Sequence, residues 1–166
     1  MQKKISIKDR IVNYVYSVSS QPVTLRDLLS ANSYYNEKMY VDPGKLGFRI
    51  RITRAYAVYL VLVLIALAPL TLVVHYPLTN MNFHFSIVGA VLITSFVFIG
   101  FTFFKAWIRD AITLRLIKKA WLVHFPYFSY DKYSKKVANI YNQVVKNEVP
   151  KKDLRLYVMD KLVEDN

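Results

Sequence analysis

Residues 55–104 contain no Lys, Arg, Asp or Glu, although Arg54 and Lys105 bracket them directly. Two apolar blocks of twenty residues, 55–74 and 85–104, lie in this run, separated by HYPLTNMNFH. At about 1.5 Å of rise per residue a twenty-residue helix reaches about 30 Å, the thickness of a bilayer's hydrocarbon core. The pattern predicts two membrane-crossing helices joined by a short polar connector, 75–84. Pro69 removes one backbone donor in the first block, and a kink is expected there, at the carbonyl of Ile65. In the second block Ser86, Ala90 and Thr94 recur every fourth residue, a small-residue stripe suited to close helix packing.

The flanks show helical periodicity on a smaller scale. In ISIKDRIVNYVYSV (5–18), Ile7, Ile11, Tyr14, Val15 and Val18 share one helical face. SSQP ends that segment, and Thr24 is placed to cap a short helix with Asp27 at its third position. A DPG turn at 42–44 follows. Beyond Lys105 there is no Gly or Pro until Pro126, so the second span is expected to continue about five turns past the membrane. Trp107, Leu114, Ile117 and Trp121 line one face of that continuation, with Asp110 among them. Residues 125–134 read as irregular. A helix at 134–146 and another opened by Pro150 follow, the last with Leu154, Tyr157, Val158 and Leu162 as its apolar stripe.

Charge sets the expected orientation. Residues 1–54 hold ten Lys/Arg against four Asp/Glu, residues 105–166 thirteen against seven, and the connector none. Cytoplasmic segments near span ends carry the Lys/Arg excess, so both termini are expected in the cytoplasm. The residues expected to meet an anionic lipid surface are Arg54, Lys105, Arg109, Arg115, Lys118 and Lys119, each worth about 1 kcal/mol near such a leaflet. Asp110 is the one acid in this basic stretch, and an ion pair with Arg49 or Arg51 is expected for it. The pI of 9.8 and the interleaved tyrosines also suit nucleic acid, a reading that membrane-surface attraction makes unnecessary.

Catalytic patterns are missing. The chain has four glycines and no cysteine, and it contains no P-loop, HExxH or nucleophile elbow. No carboxylate interrupts either span, which argues against a proton relay. His75 and His84 bracket the connector and are the only candidates for metal or haem, but the connector supplies no further strong ligand. No cofactor is expected. The first fifty residues lack a signal-peptide core, so the first span is expected to act as an uncleaved signal-anchor.

The sequence therefore predicts an all-α membrane protein: a two-span transmembrane hairpin (55–104) with small helical cytoplasmic flanks, 1–54 and 105–166. Lys/Asn/Tyr/Ile-rich composition points to a bacterial inner membrane. The expected role is that of a non-catalytic subunit, scaffold or assembly factor of a membrane complex, or a homo-oligomer. Docking is expected through Ile7, Ile11, Tyr14 and Val18 and through Leu154, Tyr157, Val158 and Leu162. The alternatives are a redox or transporter accessory subunit using His75 and His84, and a membrane-tethered nucleic-acid-binding protein.

Overall fold

The computed structural model describes residues 6–79 and 83–164, without the side chains of 72, 74–79 and 83–86. Six α-helices and one pair of short strands occur among them. In chain order they are α1 (Ile7–Val15), β1 (Tyr16–Val18), α2 (Leu25–Asn36), a 3-10 turn (Pro43–Leu46), β2 (Phe48–Ile50), α3 (Ile52–Thr79), α4 (Phe83–His124), α5 (Tyr130–Lys146) and α6 (Leu154–Glu164). Two helices, α3 and α4, are long and apolar enough to cross a membrane, with mean hydropathy of 1.9 and 2.4 over their most apolar 18-residue stretches.

The chain divides into two compact units, each assembled from separated segments: Met1–Tyr16 with Ile50–Arg109, and Ser17–Arg49 with Asp110–Asn166. The expected three-part division at 54 and 104 follows membrane topology, a different criterion from packing; parts of both flanks belong to the second unit.

Local chemistry explains most boundaries. Thr24 caps α2: its Oγ1 accepts from the Asp27 amide at 3.2 Å, and its hydroxyl donates to the Asp27 carboxylate at 2.6 Å. At the 3-10 turn the Asp42 carboxylate accepts from the Gly44 amide at 2.9 Å, Pro43 presets the first dihedral, and Gly47 ends the turn with φ of 63°. Both α2 and α5 end in Schellman geometry with a residue other than glycine in the left-handed position, Lys38 (φ 57°) and Glu148 (φ 51°). Met39 N–H donates to the Tyr34 carbonyl at 2.8 Å, and Val149 N–H to the Val144 carbonyl at 3.1 Å.

Several boundaries differ from expectation. The helix predicted to run to residue 18 ends at Val15, where the chain turns into β1 and pairs with β2. Val15 carbonyl accepts from Arg51 N–H at 2.8 Å, and Gly47 carbonyl from Ser19 N–H at 2.7 Å, an antiparallel pattern. The backbone is helical to Thr79 and again from Phe83, so most of the expected connector extends the two helices; residues 80–82 lie outside the described residues. α3 continues through Pro69 without interruption. α5 starts one turn early because Tyr133 acts as an apolar position: it is buried with its ring edge-on to Phe128 at 5.1 Å, extending the stripe of Val137, Ile140 and Val144. α6 starts at Leu154, after a turn in which Asp153 N–H donates to the Pro150 carbonyl.

In the second unit both α2 and α6 pack on α5. Leu28, Leu29 and Ala31 of α2, Val137 of α5 and Val158 and Leu162 of α6 are fully or almost fully buried there. A line of polar bonds runs through the α2–α5 contact. Asn32, fully buried, donates from Nδ2 to the Ser134 carbonyl at 2.8 Å, and Ser33 Oγ donates to Asn142 Oδ1 at 2.8 Å. Asn142 Nδ2 in turn reaches Glu37 Oε1 at 2.7 Å. Buried amides that are fully bonded favour one register of packing over its neighbours.

Candidate functional site

In the first unit the informative region is the base of α3 and α4. Tyr59 of α3 donates its hydroxyl to the Val97 carbonyl of α4 at 2.6 Å, and its ring meets Phe101 and Phe104 with centroids 5.4 and 5.3 Å away. Tyr56 meets Phe101 edge-on at 5.3 Å. Gly100 makes this contact possible, since a Cβ there would collide with Tyr59 Oη. The packed face of α4 in this region is therefore Val97, Gly100, Phe101 and Phe104. Of the stripe Ser86, Ala90 and Thr94, which lies nearer the start of α4, Ala90 and Thr94 are exposed and the Thr94 hydroxyl turns back onto the Ala90 carbonyl at 2.8 Å; the side chains of Ser86 and of 72 and 74–79 in α3 lie outside the described residues, so its packing remains an expectation.

α1 lies against the same base, packed on α3. Val12, Val15, Ala55 and Ile108 are all buried to within 1% exposure. Lys8 Nζ sits over the Trp107 ring at 5.4 Å, and the Arg54 guanidinium over the Tyr14 ring at 5.0 Å, with Nη1 also donating to the Tyr14 carbonyl at 3.3 Å. Such cation–aromatic pairs hold basic heads near apolar surface without an acidic partner.

In the second unit the C-terminal half of α4 presents Ile112, Leu116, Ile117, Ala120 and Trp121 to the interior. The expected face, Trp107–Leu114–Ile117–Trp121, is rotated from this: Trp107 is 41% exposed, Leu114 half-buried, and Asp110 exposed. The apolar steps of four at 108, 112, 116 and 120 outweigh the steps the sequence reading followed. Asp110 is thus outside the water-excluding face expected for it, and its charge acts on the Tyr35 phenol. Arg49 and Arg51 are exposed, at the second residue of β2 and just beyond that strand.

Around Tyr35 and Tyr130 lies the most perturbed electrostatic environment among the described residues. Burial pushes Tyr130 up to about 12, with smaller upward contributions from Tyr35 and Asp131 and an opposing hydrogen bond to Ser134. Tyr35 is raised by burial and by Asp110, against the lowering effect of Lys118. Lys118 Nζ holds Asp131 at 2.8 Å and sits 5.1 Å from the Tyr130 ring. Trp121 packs edge-on to Tyr130 at 5.2 Å and donates its indole N–H to the Phe128 carbonyl at 2.6 Å. Burial outweighs the lowering effect of Lys118 on Tyr35, so both phenols hold their protons more tightly than in water.

A recess of about 270 Å³ lies nearby in the same unit, lined by Val18, Gln21, Leu46, Leu116, Val123 and His124 among others. His124 Nε2 is 2.9 Å from the Val23 carbonyl, so this nitrogen carries the proton and serves as a structural donor. No group of three or more His, Asp or Glu able to hold a metal occurs among the described residues. The side chains of His75 and His84 lie outside them.

Compared with protein families, curated proteins and solved structures, the chain matches none.

The two stripes expected to dock a partner fare differently. Leu154, Val158 and Leu162 are buried in the second unit, 5% exposed or less, with Tyr157 half-buried; internal packing on α5 occupies the face assigned to docking. Ile7, Tyr14 and Val18 remain exposed and Ile11 half-buried. Sequence reading passed over another apolar group, Leu122, Val123 and Tyr127, exposed at 71%, 74% and 93%. Its signal was the run WLVHFPYF, which keeps apolar residues on every side of the helix end where one stripe suffices. Of the expected lipid-facing cations, Lys105 and Lys119 are exposed, whereas Arg54 and Lys118 are engaged with Tyr14 and with Asp131.

Proposed function

We propose that this protein is a non-catalytic subunit or scaffold of a membrane complex in a bacterial inner membrane, with α3 and α4 as a two-span hairpin and both termini cytoplasmic. The observation that carries the reading is the uncovered apolar group at the end of α4, Leu122, Val123 and Tyr127, which are exposed at 71%, 74% and 93%. Exposed apolar residues clustered beside cations, here Lys118 and Lys119, are a common mark of a protein-contact surface.

Two measurements test this. Reporter fusions at Asn80 and after the C-terminus are expected to report opposite compartments; a periplasmic C-terminus would end the hairpin reading. Leu122→Asp with Val123→Asp, at exposed positions, should leave the thermal midpoint in detergent unchanged while reducing the size of the complex extracted from membranes. An unchanged complex would end the docking role.

A further inference from the structure

Two contacts in the first unit place α1 relative to the apolar blocks. Near its start, Lys8 meets Trp107 of α4; in its last turn, Tyr14 meets Arg54 of α3. Arg54 immediately precedes the block beginning at residue 55, and Trp107 lies three residues beyond the block ending at 104. At about 1.5 Å per residue, both anchors fall within about 5 Å of the level where the apolar blocks stop. α1 therefore touches both long helices at the same level, one with each end. A helix held in this way lies across the pair, along the plane in which the apolar blocks end.

Its sides are sorted to match. Val12 and Val15 face the interior and are buried. Ile7, Ile11 and Tyr14, at steps of four and three, form a second apolar stripe beside the first, with Ile7 77% and Tyr14 51% exposed. Arg10 and Asn13 are exposed on the remaining side. At the same level Ile52, Tyr56 and Trp107 are also exposed, at 64%, 43% and 41%. The charges of this unit are one-sided: Lys8, Arg10, Arg51, Arg54, Lys105 and Arg109 against Asp9 among the described residues. One stripe against protein, one uncovered apolar stripe and a ring of cations together match the boundary layer of an anionic leaflet.

We propose that α1 is an in-plane membrane helix, embedded in the headgroup layer with Ile7, Ile11 and Tyr14 toward the acyl chains and the surrounding cations on lipid phosphates. The occupant of the uncovered stripe is the leaflet itself, and not a docking protein. This inference rests on the reading of α3 and α4 as membrane spans.

The chain has no cysteine, so single-cysteine variants of the full protein can be spin-labelled without further change. Ile7→Cys, Asn13→Cys and Phe98→Cys are reconstituted in vesicles of equal parts phosphatidylcholine and phosphatidylglycerol. Accessibility to oxygen and to a water-soluble nickel chelate then reports depth. The Ile7 label is expected about 5–10 Å below the headgroup boundary, the depth of an interfacial helix, and the Asn13 label in water. Equal water exposure at Ile7 and Asn13 would overturn the proposal, as would shielding of Ile7 from both reagents, which marks a protein contact. The Phe98 label, on an exposed face of α4, separates the two readings. If it reports lipid while Ile7 reports water, only the in-plane helix fails. If it reports water, the membrane spans fail as well.

Discussion

Replacing Gly100 with alanine should destabilise the base of the long helices, against the normal effect of that substitution. In a helix interior, Gly→Ala usually stabilises by roughly 0.5–1 kcal/mol. Here the added methyl would collide with Tyr59 Oη, the tip of a ring that is 9% exposed and bonded to the Val97 carbonyl. The ring has little room to swing, since Phe101 and Phe104 flank it with centroids 5.4 and 5.3 Å away. Accommodation costs the hydrogen bond, about 0.6 and at most about 1.7 kcal/mol between membrane helices, plus about 1–3 kcal/mol of overpacking. After the gain in helix propensity, Gly100→Ala should cost about 1–4 kcal/mol. Tyr59→Phe removes the obstructing oxygen, and the nearest remaining atom, Cζ, stands 3.5 Å from the new methyl, an ordinary contact. In that background Gly100→Ala should be neutral or stabilising by up to about 1 kcal/mol. The double-mutant cycle should therefore give a coupling of about 2–5 kcal/mol, read from denaturant titrations in micelles followed by ellipticity. Equal cost of Gly100→Ala with Tyr or Phe at 59 would show that the Tyr59 hydroxyl is not what requires glycine at 100.

Two buried polar groups in the second unit should respond with opposite signs in thermal unfolding. Asn32→Leu leaves the Ser134 carbonyl without its donor and should cost about 1–3 kcal/mol, whereas Thr113→Val removes a buried hydroxyl that has no partner and should be neutral or stabilising by about 1 kcal/mol. Tyr130 holds its proton more tightly folded than unfolded, so its contribution to stability is intact below pH 10 and is lost as pH rises toward about 12. Tyr130→Phe should flatten that alkaline decline in denaturant midpoint; an unchanged slope would assign it to other groups. Asp110→Asn should lower the Tyr35 pKa toward its ordinary value in a tyrosinate absorbance titration, and an unmoved transition would refute the proximity. For the ion pair proposed between Asp110 and Arg49 or Arg51, exposure on both sides limits the coupling in a mutant cycle to about 0.2–1 kcal/mol.

What could be read in the sequence was what is encoded over a few residues. The Thr24–Asp27 cap, the Asp42–Gly44 turn and the unbroken helix from the second apolar block to His124 each depend on spacings of two to four residues or on the absence of Gly and Pro. The β1–β2 pair was not legible, because its bonds join residues more than twenty-five positions apart and neither strand has room to show alternation. Of the face expected for α4 beyond Lys105, Ile117 and Trp121 are buried, while Trp107 and Leu114 are not, because apolar residues there form two overlapping stripes and the second unit's core also takes Ile112, Leu116 and Ala120. The same gap misassigned Leu154, Val158 and Leu162: a clean amphipathic stripe shows that something covers it, and the covering partner here is α5 of the same chain. Tyr59 and Gly100 were visible only as single deviations in apolar blocks, and their pairing depends on two helices meeting.

Where α2 and α5 stop follows from a different source than where they start. Each turns at a left-handed residue with a β-carbon, Lys38 and Glu148, at positions where glycine would relieve the backbone. For α5 the sequence itself enforces the halt, since Pro150 stands two residues beyond Glu148 and cannot continue the helix. After α2 no Gly or Pro occurs until Pro43, so its end depends more on the assembled unit, in which Glu37 and Asn142 hold each other beside the turn. Excised as peptides, the α2 segment should lose its sharp end and fray or run on past residue 38, whereas the α5 segment should still stop before Pro150. The end of α2 is in this sense a cooperative property, acquired when α2 and α5 have found one another.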